Sequence, residues 1–401
     1  MEKEKLWTKD FIIISIVNFV LMLSMYLLLV TMATYATERY GASASTAGLV
    51  ASIFILGAMV GRLYGGSQIV KLGSKKMLIF GIAFFVLITV FYFIPGNIYF
   101  LIAIRFLHGV GVGVATTATG TMIAQVIPPS RSGEGIGYFS LSAVLSTAVG
   151  PLIGLLLIDL AGYTSIFIFS LAMGAVSLLI SLPVRAPQIR YKQQAEKKGF
   201  AWANFFEPAA LPISIVMLVI GLAYSGILSF VTAYAQELNL VKAGSFYFLV
   251  YAIMISLSRP FTGKLMDAKG GNSVAYPALA LFALGMWVLS QADSTFAFLV
   301  AAAVIGLGYG NFQSCSQALA IKVTPPHRMG LANSTYFICL DLGLGLGPFL
   351  LGYLVPAFGY SGLYGSLVGV IVVGILVYHM LHGRRDKEIY QLDQSAQAVQ
   401  K

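Results

Sequence analysis

The sequence predicts an all-α membrane protein whose twelve membrane-spanning helices form two pseudo-symmetric six-helix bundles. Hydrophobic residues make up 58% of the 401-residue chain and charged residues 10%, whereas a soluble domain carries about 25% charged residues. Twelve apolar runs are each long enough to cross a bilayer, which takes roughly 20 residues. The first half of the chain also recurs in the second half at a constant offset of 197 residues.

This internal repeat covers almost the whole chain in one register. Its period is far longer than the roughly 20–50 residues of solenoids and propellers, so it indicates two similar lobes instead. The matched pairs are Arg62 and Arg259, Gly66 and Gly263, Gly73 and Gly270, Gly109 and Gly306, Pro128 and Pro325, Gly150 and Gly347, and Gly162 and Gly359.

The apolar runs divide the chain into four parts. The first, 1–184, is predicted to be a six-helix bundle with runs at 11–35, 46–70, 77–95, 98–126, 133–160 and 163–184. A polar linker follows at 185–207. The second bundle, 208–382, has runs at 208–234, 243–268, 273–291, 295–323, 329–356 and 359–381, and a polar tail predicted to be mobile occupies 383–401.

Helices are favoured because lipid offers no partner for an unpaired backbone group. A membrane β-barrel would show alternating ten-residue strands, and the sequence has none. The first run begins at Phe11 and is too long for the apolar part of a cleavable signal, so it is predicted to be a retained helix. Cys315 and Cys339 lie inside apolar runs and are expected to be packing residues.

Lysine and arginine give the expected orientation. Of the 25 basic residues, 20 fall on one side of the predicted membrane and two, Arg39 and Lys242, on the other. By the positive-inside rule both termini are expected in the cytoplasm. The net charge of +10 is therefore a sign of topology, and the chain shows no basic soluble domain for binding nucleic acid.

Local motifs resemble those of the major facilitator superfamily. The family's loop after the second helix, G-x-L-x-D-R-x-G-x-[RK]-[RK], is matched by Gly66 to Lys76, with Val70 at the acidic position. The second copy, Gly263 to Gly270, keeps the acid as Asp267. The resemblance implies a conformational latch in these loops, and the second loop is the better candidate. The gating residues it implies are Arg62, Gly66, Gly73, Gly150, Pro151, Arg259, Gly263, Asp267 and Gly270.

The fifth run resembles the antiporter signature G-x8-G-x3-G-P-x2-G-G. Gly137, Gly150, Pro151 and Gly154 match it, whereas Ser146 and Leu155 replace glycines. Together with Arg105 to Gly111 in the fourth run and the segments around Arg259 and Asp341, this implies the drug:proton antiporter branch, which exports. The segments around Arg259 and Asp341 also resemble bacterial metallophore and multidrug exporters of that branch.

Asp341 is the acidic residue that stands out from the other fourteen. It lies about twelve residues into the eleventh run, roughly 18 Å along the helix and near the midplane. A carboxylate there costs at least ~2.5 kcal/mol on insertion scales, and such acids mark proton or substrate pathways. We expect Asp341 to carry the proton or to contact a cationic substrate. The alternative is a structural hydrogen bond.

Two further groups of polar residues are expected to serve transport. Arg105 and His108 share a helix face and are candidates for proton coupling, and their alternatives are pairing with helix-end carbonyls and polar packing. Arg62 and Arg259 could form gate contacts or extend to the membrane interface. The predicted walls of the substrate cavity are Arg105, Tyr224, Asn311, Gln313 and Gln317.

The sequence as a whole predicts a proton-coupled exporter of small molecules, monomeric and located in a bacterial plasma membrane. No P-loop, metal-ligand cluster or nucleophile motif is present in the sequence, so we expect neither an enzyme nor a cofactor. Two alternatives stay open. One is a dedicated exporter or importer of a single metabolite, such as a metallophore or a lipid precursor, and the other is a membrane sensor or scaffold that does not transport.

Overall fold

The computed structural model describes residues 4–184 and 205–386, apart from the side chains of residues 44 and 45. Within these ranges every regular element is helical, and twelve helical stretches are long and apolar enough to cross a membrane. The predicted fold class is therefore confirmed. The charged part of the predicted linker and most of the predicted tail lie outside the described residues.

The helices follow the predicted runs closely in the first half of the chain. In chain order they are α1 (Lys9–Tyr40), α2 (Ala44–Leu72), α3 (Ser74–Val90), α4 (Ile98–Val126), α5 (Ser132–Ala161) and α6 (Tyr163–Ser181).

The second half differs in one respect, because its fourth span is interrupted. The helices are α7 (Leu211–Glu237), α8 (Val241–Lys269), α9 (Asn272–Ser290), α10 (Thr295–Ile305), α11 (Asn311–Lys322), α12 (Met329–Gly352) and α13 (Val355–Leu381). A π-helical turn, Gly306–Gly310, joins α10 to α11. The matching segment of α4 is continuous α-helix, so the two halves differ in winding here although the sequence repeat includes this turn.

Two compact units divide the chain, and each includes a segment from the other half of the sequence. Unit 1 comprises Met1–Val126, Ser142–Glu207 and Pro325–Ser334, and unit 2 comprises Ile127–Leu141, Pro208–Thr324 and Thr335–Lys401. Helix α5 therefore begins in unit 2 and continues in unit 1, and α12 begins in unit 1 and continues in unit 2. The first turns of these two helices thus make most of their contacts with helices from the other half of the sequence.

In unit 1, glycines bring α2 and α4 into close contact. A Cβ atom on Gly57 would overlap the carbonyl oxygen of Phe106, and a Cβ atom on Gly109 would overlap that of Phe54. Small residues serve this purpose in lipid because helices there must gain their contact energy from close packing.

A further glycine contact of unit 1, between α4 and α3, recurs in unit 2 at the offset of the sequence repeat. Gly111 faces the backbone of Phe85 in α3, and Gly308 faces the backbone of Phe282 in α9. The glycine triplets of the two halves therefore recur because both units use the same helix contact.

Gly73 and Gly270 end α2 and α8 with φ angles of 87° and 86°. A side chain at such φ values is strained, since its Cβ atom crowds the backbone. The short loops after α2 and α8 thus have the same backbone path, which explains why glycine recurs at these two positions of the repeat.

Candidate functional site

The last turn of α8 binds the beginning of α5 through Asp267, and all of these residues belong to unit 2. The Asp267 carboxylate accepts hydrogen bonds from the backbone N–H groups of Gly133 (2.7 Å) and Glu134 (2.9 Å). Lys322 approaches the same carboxylate at 3.5 Å. An N-terminal helix turn leaves its N–H groups unpaired and carries partial positive charge, so a carboxylate is the matching partner.

Two neighbouring features keep this contact close. A Cβ atom on Gly263 would lie 2.5 Å from the Cα atom of Glu134, so α8 can meet α5 here only at a glycine. Glu134 itself pairs with Arg131 at 2.8 Å. This contact lies at the predicted latch of the second loop, and its function as a latch stays a prediction.

The first loop holds the start of α12 in unit 1 without an acid. Val70 replaces the aspartate and is exposed. Contact comes instead from apolar and hydroxyl groups: the Ser334 hydroxyl donates to the carbonyl oxygen of Arg62 at 2.7 Å, and a Cβ atom on Gly66 would lie 2.6 Å from that of Ser334. The two loops therefore bind their helices with different chemistry.

Arg62 and Arg259 occupy matching places in the two units and are both buried, at 2% and 1% exposure. Extension to the membrane interface does not fit such burial. Arg62 donates to the Thr116 hydroxyl at 3.0 Å, and Arg259 donates from Nη2 to the Gly310 carbonyl at 3.0 Å. The Nε and Nη1 atoms of Arg259 have no hydrogen-bond partner within the described part of the chain. A buried unpaired donor costs about 1–3 kcal/mol, and more when charged.

Arg105 is fully buried on α4 and donates to the carbonyl oxygens of Val50 (3.1 Å) and Ala51 (3.4 Å) on α2. Its guanidinium also lies 4.7 Å from the centre of the Phe54 ring. These contacts support the alternative of pairing with helix carbonyls. Participation in proton coupling or in the substrate cavity stays a prediction.

His108, also fully buried, has both ring nitrogens engaged. Thr89 donates its hydroxyl proton to the Phe85 carbonyl at 2.7 Å, so at 3.3 Å it can only accept from Nε2 of His108. Nδ1 is then the acceptor for the Tyr92 hydroxyl at 3.2 Å. This arrangement satisfies the neutral Nε2–H tautomer completely and supports polar packing over proton transfer.

The polar residues predicted on the tenth span lie on α11, where Asn311 has the fullest set of contacts. Its amide donates to Ser258 (2.8 Å) and to the Leu307 carbonyl (2.8 Å), and its oxygen accepts from Thr262 (2.9 Å). Gln317 is buried and Gln313 half-buried. Asn311 therefore joins α8 to α11, a structural function that the prediction of a cavity wall did not include.

Tyr224, the predicted wall residue on α7, belongs to an aromatic stack that sequence reasoning missed. Its ring lies 3.7 Å from that of Tyr309, at an angle of 8°, and 5.8 Å from that of Tyr251. The π-helical turn contains Tyr309, and π turns are often found at functional sites. The stack depends on the π-helical winding at Tyr309, which no pattern in the sequence predicts.

Asp341 lies near the middle of α12 and is 8% exposed. Around it α12 packs tightly on α7: a Cβ atom on Gly221 would lie 3.4 Å from the Leu340 carbonyl oxygen. The other described acids lie at helix ends or in connecting segments. Asp341 therefore lies within a membrane-spanning helix, as the sequence predicts, and its function stays a prediction.

The segment after α13 departs from the expected mobile tail at residues 383–386. Asp386 is buried and accepts hydrogen bonds from the N–H groups of Gly271 (3.2 Å) and Asn272 (2.8 Å), where α9 begins. Burial raises the pKa of Asp386, but the His382 ring, with Nε2 3.6 Å from the carboxylate, and the bonds from these two N–H groups outweigh it and hold the pKa below its usual value. The expected mobility is wrong for these residues, because the carboxylate caps a helix.

Gly150 and Pro151 lie in the part of α5 that belongs to unit 1. A Cβ atom on Gly150 would lie 3.1 Å from the backbone nitrogen of Leu27, so α5 and α1 meet closely at this point. Pro151 is inside the helix, as is Pro348 at the matching position of α12.

The described residues form twelve membrane-capable helices, six in each half of a duplicated sequence, and this arrangement with its two matching loops defines a secondary transporter fold. The chain belongs to the major facilitator superfamily, whose model matches residues 14–348 and 248–399. The sequence resemblance to this family is thereby confirmed.

Relatives and a solved structure refine the placement. The chain is 27% identical to an MFS-type transporter of Methanocaldococcus jannaschii, over 92% of this chain and 97% of that protein. It is 24% identical to the staphylopine export protein of Staphylococcus aureus (85% and 88%) and 26% identical to the multi-drug resistance efflux pump PmrA of Streptococcus pneumoniae (79% and 81%). The human organic anion transporter MFSD10 shares the fold, with a TM-score of 0.72 at 14% identity over 92% of this chain and 99% of that chain.

Proposed function

We propose that this protein is a proton-coupled secondary transporter that exports small molecules by alternating access. The observation that carries the proposal is Asp341, an ionisable side chain buried near the middle of a membrane-spanning helix. Intramembrane acids are costly and are kept mainly for ion and substrate pathways.

Coupling follows from the charge that Asp341 gains or loses. A carboxylate is poorly solvated at this depth, so protonation lowers the free energy of any state that hides it from water. A substrate that prefers the deprotonated state then competes with the proton. Transport results when proton and substrate each bind the two conformations with different affinities.

Asp267 gives the proposal separate support, because its contact with α5 is one that must break during a transport cycle. Within unit 2 it joins the first turn of α5, from the first half of the sequence, to α8, from the second half, and alternating access requires the two halves of the sequence to move against each other. We infer that this carboxylate stabilises one conformation, with Gly263 and Gly270 providing the close approach and the turn. Tyr224, Gln313 and Gln317 are the proposed substrate contacts.

Export is favoured over import by the relatives, two of which are named for export or efflux. The charge distribution supports cytoplasmic termini, and the monomer is the proposed functional form. The similarity to the staphylopine export protein also favours a second candidate, an exporter dedicated to one metabolite.

The test is transport by the purified full-length chain in proteoliposomes with an imposed pH gradient. Wild-type protein is expected to drive at least one member of a panel of ethidium, tetraphenylphosphonium, a zwitterionic compound and N-acetyl-L-tryptophan against its gradient, and Asp341→Asn is expected to abolish that gradient-driven flux at normal expression. Asp293→Asn is the matched control, since Asp293 is exposed between helices α9 and α10. Normal coupling in Asp341→Asn would refute the proposal, and uptake of a single compound would favour the dedicated exporter.

A further inference from the structure

Arg259 is the buried arginine whose hydrogen-bonding capacity the fold leaves most open. The side chain is 1% exposed, yet only Nη2 has a partner, the Gly310 carbonyl oxygen. Nε and Nη1 have none among the described residues, and no ion pair to Arg259 is found there either. A guanidinium remains protonated in proteins, so its positive charge is retained in this position.

The two other buried arginines leave fewer of their donors unused. Arg105 donates from Nε and Nη2 to two backbone carbonyls and lies against an aromatic ring, and its Nη1 has no hydrogen-bond partner among the described residues. Arg62 donates to Thr116 and has further contacts. Of the three, Arg259 therefore has the most donor nitrogens without a partner in the described part of the chain.

The surroundings of Arg259 in unit 2 contain polar and aromatic groups without negative charge. Tyr251, Tyr336 and Cys315 interact electrostatically with the guanidinium. Tyr251 continues into the stack with Tyr224 and Tyr309. One helical turn beyond Arg259, Thr262 lines a small cleft together with Ser314 and Cys315.

We propose that Arg259 binds the anionic oxygen group of a transported molecule, and that the substrate is an aromatic carboxylate or a similar organic anion. The inference deepens the proposed function, on which it rests, by naming a substrate class. A carboxylate supplies the acceptors that Nε and Nη1 lack and neutralises the buried charge. The buried tyrosine stack makes the surroundings of this site aromatic, which suits an aromatic group on the bound molecule. A purely cationic substrate would meet an uncompensated positive charge at this site.

The test is ligand binding to the purified full-length protein in detergent, measured by the shift of thermal unfolding. N-acetyl-L-tryptophan is the probe, and N-acetyl-L-tryptophanamide is its neutral match of nearly identical shape. We expect the wild-type protein to bind the acid at least tenfold more tightly than the amide. Arg259→Gln should reduce that ratio to within twofold of one, and Arg62→Gln, the matched buried arginine, should keep it.

Three results would overturn the inference. The first is equal binding of acid and amide by the wild-type protein. The second is an acid-to-amide affinity ratio in Arg259→Gln that equals the wild-type ratio. Should that variant fail to fold, Arg259→Lys replaces it, and a decrease of the ratio by less than threefold counts against the inference. The third is equal protection by sodium chloride at the same concentrations, which would indicate a site for small inorganic anions.

The outcome is separable from that of the proposed function. A protein that pumps ethidium with the pH gradient but does not prefer the acid keeps the proposed function and loses this inference. A protein that prefers the acid through Arg259 but shows no gradient-driven flux keeps the binding site and loses the proton-coupled exporter.

Discussion

Replacement of Asp267 by asparagine should release the first turn of α5. The carboxylate is 11% exposed and accepts two backbone N–H groups, at 2.7 and 2.9 Å. Asparagine has the same shape but one acceptor oxygen, so it loses one charge-assisted bond and turns an N–H₂ group towards the other N–H. Hydrogen bonds to charged groups contribute about 1.5–3 kcal/mol each. We therefore expect a loss of about 2–3 kcal/mol, or roughly 30- to 150-fold in the equilibrium for this contact.

Hydrogen exchange measures this contact directly, because the two N–H groups are themselves the reporters. In the peptide that covers residues 128–140, Gly133 and Glu134 should exchange roughly 30- to 150-fold faster in Asp267→Asn than in the wild-type protein. Asp293→Asn should leave this peptide unchanged. An acceleration of less than threefold would refute the assignment of Asp267 as the group that holds α5.

The first loop offers the reverse experiment. Val70 occupies the position that matches Asp267, next to Ile69, which packs near Gly330 at the start of α12. Val70→Asp should supply the missing carboxylate and slow the exchange of Gly330 by at least tenfold. Unchanged or faster exchange there would show that the two loops are not equivalent in backbone geometry.

Three further predictions concern packing, pH and the buried histidine. Gly57→Ala should destabilise the protein by about 1–3 kcal/mol through overpacking, whereas Gly48→Ala, on the same helix with open space at its Cβ position, should be neutral or stabilising in thermal unfolding. Asp386→Asn should destabilise α9, measured as the difference in Tm between the wild-type protein and the variant. Because folding lowers the pKa of Asp386, the higher Tm of the wild-type protein should be constant above about pH 4. The difference should disappear as the pH falls through the lowered pKa of the folded protein. His108→Gln should lower Tm but retain gradient-driven flux, and loss of flux in a folded protein would restore the prediction that His108 carries protons.

Much of the candidate site follows from the sequence repeat, because the offset of 197 residues fixes which positions share an environment. The sequence shows that Asp267 in the second copy is replaced by Val70 in the first. The hydrogen bonds of Asp267 to the start of α5 lie where the latch is predicted. Asp341 is visible as an acid in the middle of an apolar run. Arg259 is visible as well, but its unused donors are not, since they depend on which carbonyl groups lie within reach.

The sequence alone predicted the duplication and the twelve spans that the described residues form, because lipid restricts the backbone to helices. The tertiary structure decided everything that depends on local winding or on distant partners. The π-helical turn places Tyr309 on Tyr224, and the chain after α13 turns back so that Asp386 caps α9. Hydrogen-bond partners distant in sequence leave no periodic pattern, so only the folded chain shows that His108 is satisfied and that Arg259 is not.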